Sequence, residues 1–473
     1  MAIESINFGD SVAGLLIDGV HENPYTGATL EIVSPGGVHV EVPYMSHDDT
    51  EQFRHVQEWF DSQTPPPNML LFTEDGAISL FNTRWQGHSE RLGRNTSLGT
   101  LAPEETVLAA RDGSLGDPLC VSKVQSKLDG LNTGLGATAI TTERETDKAG
   151  RLKKYRIDVE GNDVASWTQG DARMWLRSDW RIRHHDDGYS RLREVYDDFV
   201  IDSKFRDGPH PFFDHFVEHK KVANPLVFLY SRTIPFREHK VRDQRFVARL
   251  NGGRIYNAPY VELISHRSVR EREQPLPTTG ELGRPLAYFS QIGTPGLESW
   301  SANYDKWQRF ILPAAAEAAL VRRGAYLEDN VVSTSLALEA AGQLIGNRDG
   351  EGGTYYRGRP TTATWIYRCL HLLAVSWGDY VASTIGLARA IASTYNDVKH
   401  FDRGEFPSLE EADLVATVNR LVVRLLALHL TGKGDELLKP YRDDQRELWR
   451  VKQRFEGYNR RIADDGGTWI VTP

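Results

Sequence analysis

Residues 379–403, DYVASTIGLARAIASTYNDVKHFDR, decide how the rest of the chain is read. Tyr380, Ile385, Leu387, Ala388, Ile391 and Ala392 recur at about the 3.6-residue period of a helix with one buried face, which predicts a single long helix from Asp379 to His400. Asn396, Lys399 and His400 follow at intervals of three and four, so they share one face of its last turns, where unpaired carbonyls favour cations. Residues 401–404 and then Pro407 break the pattern, and Ser408 with Glu411 three positions later reads as a capping box opening another helix. Tyr395, Asn396, Lys399, His400 and Arg403 thus belong to a corner between two helices, with Arg389 two turns upstream.

On either side of this stretch the helical pattern continues. Two helical segments are expected over 304–346 from a capping-like start at Ser301, with Trp307, Phe310, Ile311, Leu327, Val331, Leu336, Leu338 and Leu344 facing inward. NRDGEGGTYYRGRP, 347–360, reads as a loop or flexible insertion. Helices over 365–375, 409–430 and 441–460 complete an all-α bundle of about five helices. Upstream of Trp300 the period changes to that of strands. Leu30 and Ile32 face Val38, Val40 and Val42 around Pro35, Gly36 and Gly37, and Asp75 with Gly76 separates two apolar runs in MLLFTEDGAISLF; both are hairpin patterns. Further strands are expected over 106–110, 155–159 and 246–250, with helical interruptions at 51–60 and 211–221. The expected fold class is α+β, with a β-rich domain over 1–300 and a helical domain over 301–473.

The composition of the 473 residues, 40 % hydrophobic and 26 % charged, is that of a globular chain long enough for two or three cores. No run approaches the ~20 apolar residues of a membrane span, and the first residues resemble no export signal, so a cytoplasmic protein with no membrane partner is expected. Two cysteines, Cys120 and Cys369, make neither a zinc cage nor a disulfide framework. A net charge of -9 argues against coating nucleic acid by phosphate neutralisation, so any RNA contact must be local.

The order of long helix, Asn-x-x-Lys-His end, short loop with Arg403 and second long helix resembles the HEPN family of RNA-cleaving and nucleotide-binding helical domains. Asn396 and His400 stand where the family motif has its polar residue and histidine; Tyr395 stands where the motif has arginine. Over the whole layout the chain is similar to ApeA-like proteins of phage defence, a β-rich ApeA N-terminal domain followed by a HEPN domain. Residues 212–241, 295–313, 336–342 and 395–407 carry that likeness. The resemblance implies an abortive-infection protein whose N-terminal domain binds a phage-derived trigger. It also implies a HEPN-like bundle that pairs as a homodimer and cleaves RNA, transfer RNA being one candidate, with no metal or other cofactor. In such chemistry the substrate's 2'-hydroxyl attacks the adjacent phosphate. His400 would serve as base or acid, Lys399, Arg389 or Arg403 would meet the phosphoryl charge, and Asn396 would orient the imidazole or the phosphate. With tyrosine at 395 the alternative is a HEPN module that dimerises or binds nucleotide without cleaving it; for His400 and Asn396 a simpler role is capping the helix C-terminus.

Four other patterns carry a chemistry and a plainer alternative. His215, Glu218 and His219 spell H-x-x-E-H, the inverted zinc-peptidase motif, or else the polar face of a helix lying on a sheet. His184, His185, Asp186 and Asp187 suit a divalent ion or a solvated turn. Gly134, Gly136 and Ala139 echo a dinucleotide fingerprint but lack its strand and helix, and so read as a loop. Arg237, Glu238, His239, Lys240 and Arg242 read as an exposed strand edge or turn ahead of a ligand-sensing patch.

Overall fold

The computed structural model describes residues 5–20, 23, 25–46, 54–89, 95–161, 163–249, 254–319, 326–400, 406–442 and 447–472. The chain divides into two units. The first comprises Met1–Asn132, Ala137–His219 and Pro235–Glu281, and the second Thr133–Gly136, Lys220–Ile234 and Leu282–Pro473.

The first unit is built on an antiparallel sheet. Its early strands are β1 (Ser11–Ile17), β2 (Thr26–Val33), β3 (Gly37–Met45), β4 (Met69–Phe72), β5 (Ala77–Phe81), β6 (Arg84–Ser89), β7 (Thr96–Ala102) and β8 (Glu105–Val107). There follow β9 (Cys120–Val121), β10 (Lys123–Leu128), β11 (Ile140–Thr146), β12 (Leu152–Val159), β13 (Asp163–Gln169), β14 (Ala172–Asp186), β15 (Arg191–Phe205) and β16 (His210–Pro211). The last are β17 (Phe236–Arg242), β18 (Ala248–Arg249), β19 (Ile255–Asn257) and β20 (Val261–Ser265). Fourteen of them form one sheet in the order β13-β14-β15-β10-β17-β20-β8-β5-β4-β1-β2-β3-β7-β6. Alternation explains the core: along β3, Val38, Val40, Val42 and Tyr44 are buried while Glu41, Pro43 and Met45 are exposed. Helix α1 (Arg54–Asp61) lays Val56, Trp59 and Phe60 on this face, and the Phe60 ring stacks on Tyr44 at 4.7 Å. A Cβ on Gly99 of β7 would lie 2.1 Å from that ring, so glycine is required there. Both expected hairpins are present, β2 to β3 closing at Val33 and Gly37 and β4 to β5 at Phe72 and Ala77. Two short helices, α2 (Leu131–Leu135) and α4 (Thr279–Leu282), fall at junctions between the units, and α3 (Phe212–Tyr230) passes from the first to the second at Lys220.

The second unit contains α5 (Phe289–Ala319), α6 (Leu327–Leu344), α7 (Thr362–Leu373), α8 (Thr384–Lys399), α9 (Leu409–Leu428), α10 (Gly434–Arg442) and α11 (Glu447–Gly457). Helix α6 packs against α5, α7, α8 and α9. Its crossing with α7 is so close that a Cβ on Gly342 would lie 2.0 Å from the Trp365 carbonyl oxygen. Helix α9 is apolar nearly all round and correspondingly buried, and its one core amide, Asn419, donates to Ser335 (2.9 Å) and Thr334 (3.2 Å) of α6. Among the described residues one stretch, Leu409–Arg442, is long and apolar enough to cross a membrane, and 83 % of its most apolar window is buried inside the protein. That apolar surface is spent on the core.

The α+β organisation stands, with four differences from the reading of the sequence. The second unit is not all-α: of the closing helix expected over 441–460, α11 covers Glu447–Gly457, and the chain then forms a hairpin of β21 (Arg460–Ile462) and β22 (Trp469–Val471), with Trp469 stacked on Phe455. Helix precedes Trp300. Helix α5 starts at Phe289, kinks at Gly293 and carries Pro295 just after the kink, where a missing N–H costs little, so Ser301 is mid-helix. Helix α8 begins at Thr384, not Asp379, because the Ser383 hydroxyl accepts the Gly386 N–H at 3.0 Å and caps it. The 347–360 stretch contains a 3-10 turn, Glu351–Thr354, tied to α7 through buried groups.

Candidate functional site

Helix α8 distributes the expected site residues over different surroundings. Tyr395 and Lys399, one turn apart, share a face; Tyr395 is only 3 % exposed and the Lys399 ammonium lies 5.4 Å from its ring centroid. Both line an open cleft of about 680 Å³ walled by α5, α6 and the end of α8. Asn396 is exposed on the adjoining face and does not line the cleft. His400 is the C-cap, half-buried, its backbone N–H bonded to the Asn396 carbonyl at 2.8 Å. The capping role expected for this pair is therefore made by the backbone. Arg403 lies outside the described residues. The Arg389 guanidinium is committed elsewhere, donating to the carbonyls of Asp465 and Gly353. Ser408 caps α9, its hydroxyl accepting the Glu411 N–H at 3.3 Å.

The cleft brings in residues that the sequence reading did not select. Arg309 from α5 adds a second cation and Glu339 from α6 a carboxylate, while Gln308 and Gln343 offer amides that both donate and accept. Leu312 and Leu336 form apolar walls and are 47 % and 46 % exposed. Leu336 was expected in the core. The distinguishing signal was present: Leu336, Glu339 and Gln343 keep one helical stripe that turns polar, whereas Val331, Leu338 and Ala341 keep the apolar one. A volume of this size, with two cations, a carboxylate, two amides and apolar walls, has room for a nucleotide-sized ligand.

Because Tyr395 is packed, Tyr395→Arg brings a third cation close to Lys399 and removes an aromatic ring from the core. We expect a stability loss of about 2 kcal/mol or more, read by thermal or urea unfolding. An unchanged melting curve would show that this position accepts the motif arginine.

The H-x-x-E-H residues have a structural explanation within the first unit. His215 and His219, on α3, and His239, on β17, are buried in a chain of hydrogen bonds. His215 Nε2 faces the Val121 carbonyl (3.1 Å) and its Nδ1 faces Ser203 Oγ (2.7 Å). Ser203 Oγ also meets His219 Nε2 (2.8 Å), whose Nδ1 meets Ser126 Oγ (2.7 Å). Ser126 Oγ meets His239 Nδ1 (2.7 Å), and His239 Nε2 meets Ser268 Oγ (2.9 Å). A carbonyl only accepts, so His215 carries its proton on Nε2; burial keeps His215 and His219 neutral, and since a hydroxyl has one proton to donate, the bonds as far as His239 Nδ1 follow. The protons run His239 to Ser126 to His219 to Ser203 to His215 to Val121, and the His215 and His219 rings are neutral. No ring nitrogen of His215 or His219 is left to bind a metal. The Arg237 to Arg242 run is not at a sheet edge, since β17 lies between β10 and β20; His239 is buried, Arg237, Glu238 and Lys240 are half-buried, and Arg242 is exposed. The His184 to Asp187 run ends in an exposed turn, where the Asp187 carboxylate accepts the N–H groups of Tyr189 (2.9 Å) and Ser190 (2.6 Å). Gly136 follows the five-residue α2 at a φ of 64°, in keeping with a loop.

Burial lowers the His215 pKa to about 4 and pushes that of His219 well below its ordinary value. Both lie under the unfolded value of about 6.5, so below that pH the unfolded chain takes up protons that the folded one refuses. Stability of the first unit should therefore fall as pH drops from about 6.5 toward 4, by about 1.4 kcal/mol per pH unit for each ring. Urea unfolding between pH 7.5 and 5 checks this; His215→Gln should flatten the slope by about one proton, and an unaltered slope would contradict the neutral chain.

No family model, no curated protein and no solved structure matches this chain.

Proposed function

We propose that the protein is an antiviral defence protein whose helical unit is a HEPN-like, metal-independent endoribonuclease. It acts as a cytoplasmic homodimer, and the strand-rich unit recognises a phage-derived trigger. The observation that carries this reading is the end of α8, where Lys399 borders a nucleotide-sized cleft and directly precedes His400. The substrate 2'-hydroxyl gives its proton to a base and forms a bond to phosphorus, the bond from phosphorus to the 5'-oxygen breaks, and an acid protonates that oxygen. His400 serves one proton transfer, imidazole being the side chain that can both take and give a proton near neutrality. Lys399 meets the charge gathering on the phosphoryl oxygens as a point charge, where arginine would have offered a planar fork. A partner protomer would double the cations at the cleft.

A second reading is favoured by the burial of Tyr395 beneath Lys399: a HEPN-like module that holds a nucleotide or a second protomer without cleaving RNA. Incubation of the purified protein with total RNA in a chelator separates the two. Fragments ending in 2',3'-cyclic phosphate support cleavage, and intact RNA bound in the cleft supports the second reading.

A further inference from the structure

Four cations stand in one row across the sheet of the first unit. In the β14–β15 register Arg173 lies opposite Lys204, and in the β10–β17 register Lys123 lies opposite Arg242. The β10–β15 register, with Val124 opposite Ser203, brings Lys123 beside Lys204. Because β14, β15, β10 and β17 are consecutive in the sheet, the row runs Arg173, Lys204, Lys123, Arg242 over about 14 Å, three strand spacings. Ser203, Ser126 and His239 point to the face that carries α3, so alternation puts the row on the opposite face. There Arg173, Lys204 and Arg242 are exposed and Lys123 is half-buried.

Like charges directly opposite each other destabilise a sheet, so the row weakens the fold instead of holding it. Among the described residues none of the four pairs with a carboxylate. The level behind the row consists of Trp175, Asp202, Gln125, Lys240 and Glu262, and its charges are engaged. Asp202, wholly buried, pairs with Arg177 and accepts the Tyr260 hydroxyl at 3.0 Å; Lys240 meets Glu238 at 3.0 Å and Glu262 meets Arg272 at 2.9 Å. The flanking levels balance, with Asp171 beside Arg206 and, on the other side, Asp163 and Glu238 beside Arg177 and Lys127. Aromatic rings hold the row in place: Lys123 and Arg173 lie 5.7 and 5.9 Å from the Trp175 centroid, and Arg242 lies 5.8 Å from that of Tyr260. The crowding registers on Lys123, whose pKa falls below its ordinary value through burial first, with Arg177, Arg242 and Lys204 pushing the same way and Asp202 opposing.

We propose that this row is a track for a single strand of nucleic acid, held by its phosphates. Charge spacing selects the occupant. An extended acidic peptide turns every second side chain to one face, about 7 Å apart, and brings about two carboxylates to the row, whereas a nucleic-acid strand carries a phosphate about every 3.4 Å of its axis and brings about four. A duplex is stiff over ~150 base pairs and winds each backbone away from a flat face, while a single strand follows it. Recognition confined to one row accords with a chain of net charge -9, and the proposal is independent of the nuclease reading.

Fluorescence anisotropy of a labelled oligothymidylate with the full-length protein, at about 50 to 200 mM salt, tests it; DNA lacks the 2'-hydroxyl and survives the proposed cleavage chemistry. The same titration is made with the variant Arg173→Gln/Lys204→Gln/Arg242→Gln, and with a DNA duplex or polyglutamate as competitor. Expected are binding by the parent, at least tenfold weaker binding by the variant, and a salt slope shallower by about two units, at ~0.7 for each phosphate no longer neutralised. Neither competitor should displace the oligonucleotide at equal charge. The variant should melt at or above the parent's temperature, because it relieves like-charge pairs. Failure to bind, equal binding by the variant, displacement by either competitor at equal charge, or a variant that melts well below the parent would overturn it. His400→Ala should bind the oligonucleotide as the parent does, whatever becomes of its RNA cleavage, and a loss there would place the binding at α8 instead.

Discussion

Glu351→Ala should cost the helical unit about 3–5 kcal/mol, because it leaves a buried guanidinium without its counter-charge. The Glu351 carboxylate accepts from Arg368 twice, at 2.7 and 2.8 Å, from the Tyr355 hydroxyl at 2.6 Å and from the Arg348 N–H at 2.8 Å. Those bonds hold its pKa at about 2, the Arg368 donors being the leading cause. Arg368 in turn reaches the Ile345 carbonyl at 3.1 Å and the Asn347 side chain at 2.6 Å, so each of its three nitrogens is bonded. With ~2–4 °C per kcal/mol for a unit of this size, the melting temperature of the variant should drop by about 10 °C. Replacing both partners, Glu351→Leu with Arg368→Met, should cost much less, because no lone charge is then buried. A Glu351→Ala protein that melts within about 1 kcal/mol of the parent would show that the 347–360 stretch is the loose insertion its glycines suggest.

That stretch illustrates what could and could not be read from the sequence. Glycines at 350, 352, 353 and 358 argue for a loop, and local chemistry alone does not reveal that Glu351 finds Arg368 on a helix that begins eight residues beyond the 3-10 turn. Local signals fared well elsewhere: the turns at 34–37 and 73–76 pinned two hairpins because turn residues act within four positions. The start of α8 was also local, in Ser383, but an apolar period running through Tyr380 masked it. The buried histidines were out of reach of any pattern. His215 and His219 look like metal ligands along α3, and the serines that satisfy them come from strands up to 93 residues away. At the candidate site the helix and its capped successor were legible; the face was not, because the spacing grouped Lys399 with Asn396 and His400, whereas Lys399 shares the cleft with Tyr395. The α6 wall was missed because the apolar period put Leu336 in the core, although its stripe turns polar at Glu339 and Gln343.

His400→Ala should lower RNA cleavage by ~100-fold or more, the usual worth of a positioned proton-transfer group. The effect falls on the chemical step, since the ring lies at the end of α8 while the cleft walls and Lys399 remain. Lys399→Ala should lose activity in a different way, with weaker RNA binding and a shallower dependence on salt, because it removes a phosphate contact. The ordering matters. If both substitutions change binding alone and neither changes the rate at saturating RNA, the end of α8 is an RNA-holding surface and the proton transfer lies elsewhere.

The most direct test is single-turnover cleavage of total cellular RNA by the purified full-length protein in excess chelator, parent beside His400→Ala. Expected are fragments with 2',3'-cyclic phosphate ends from the parent and a rate at least ~100-fold lower from the variant with RNA binding retained. Cleavage by His400→Ala at the parent's rate would contradict the assignment of proton transfer to α8.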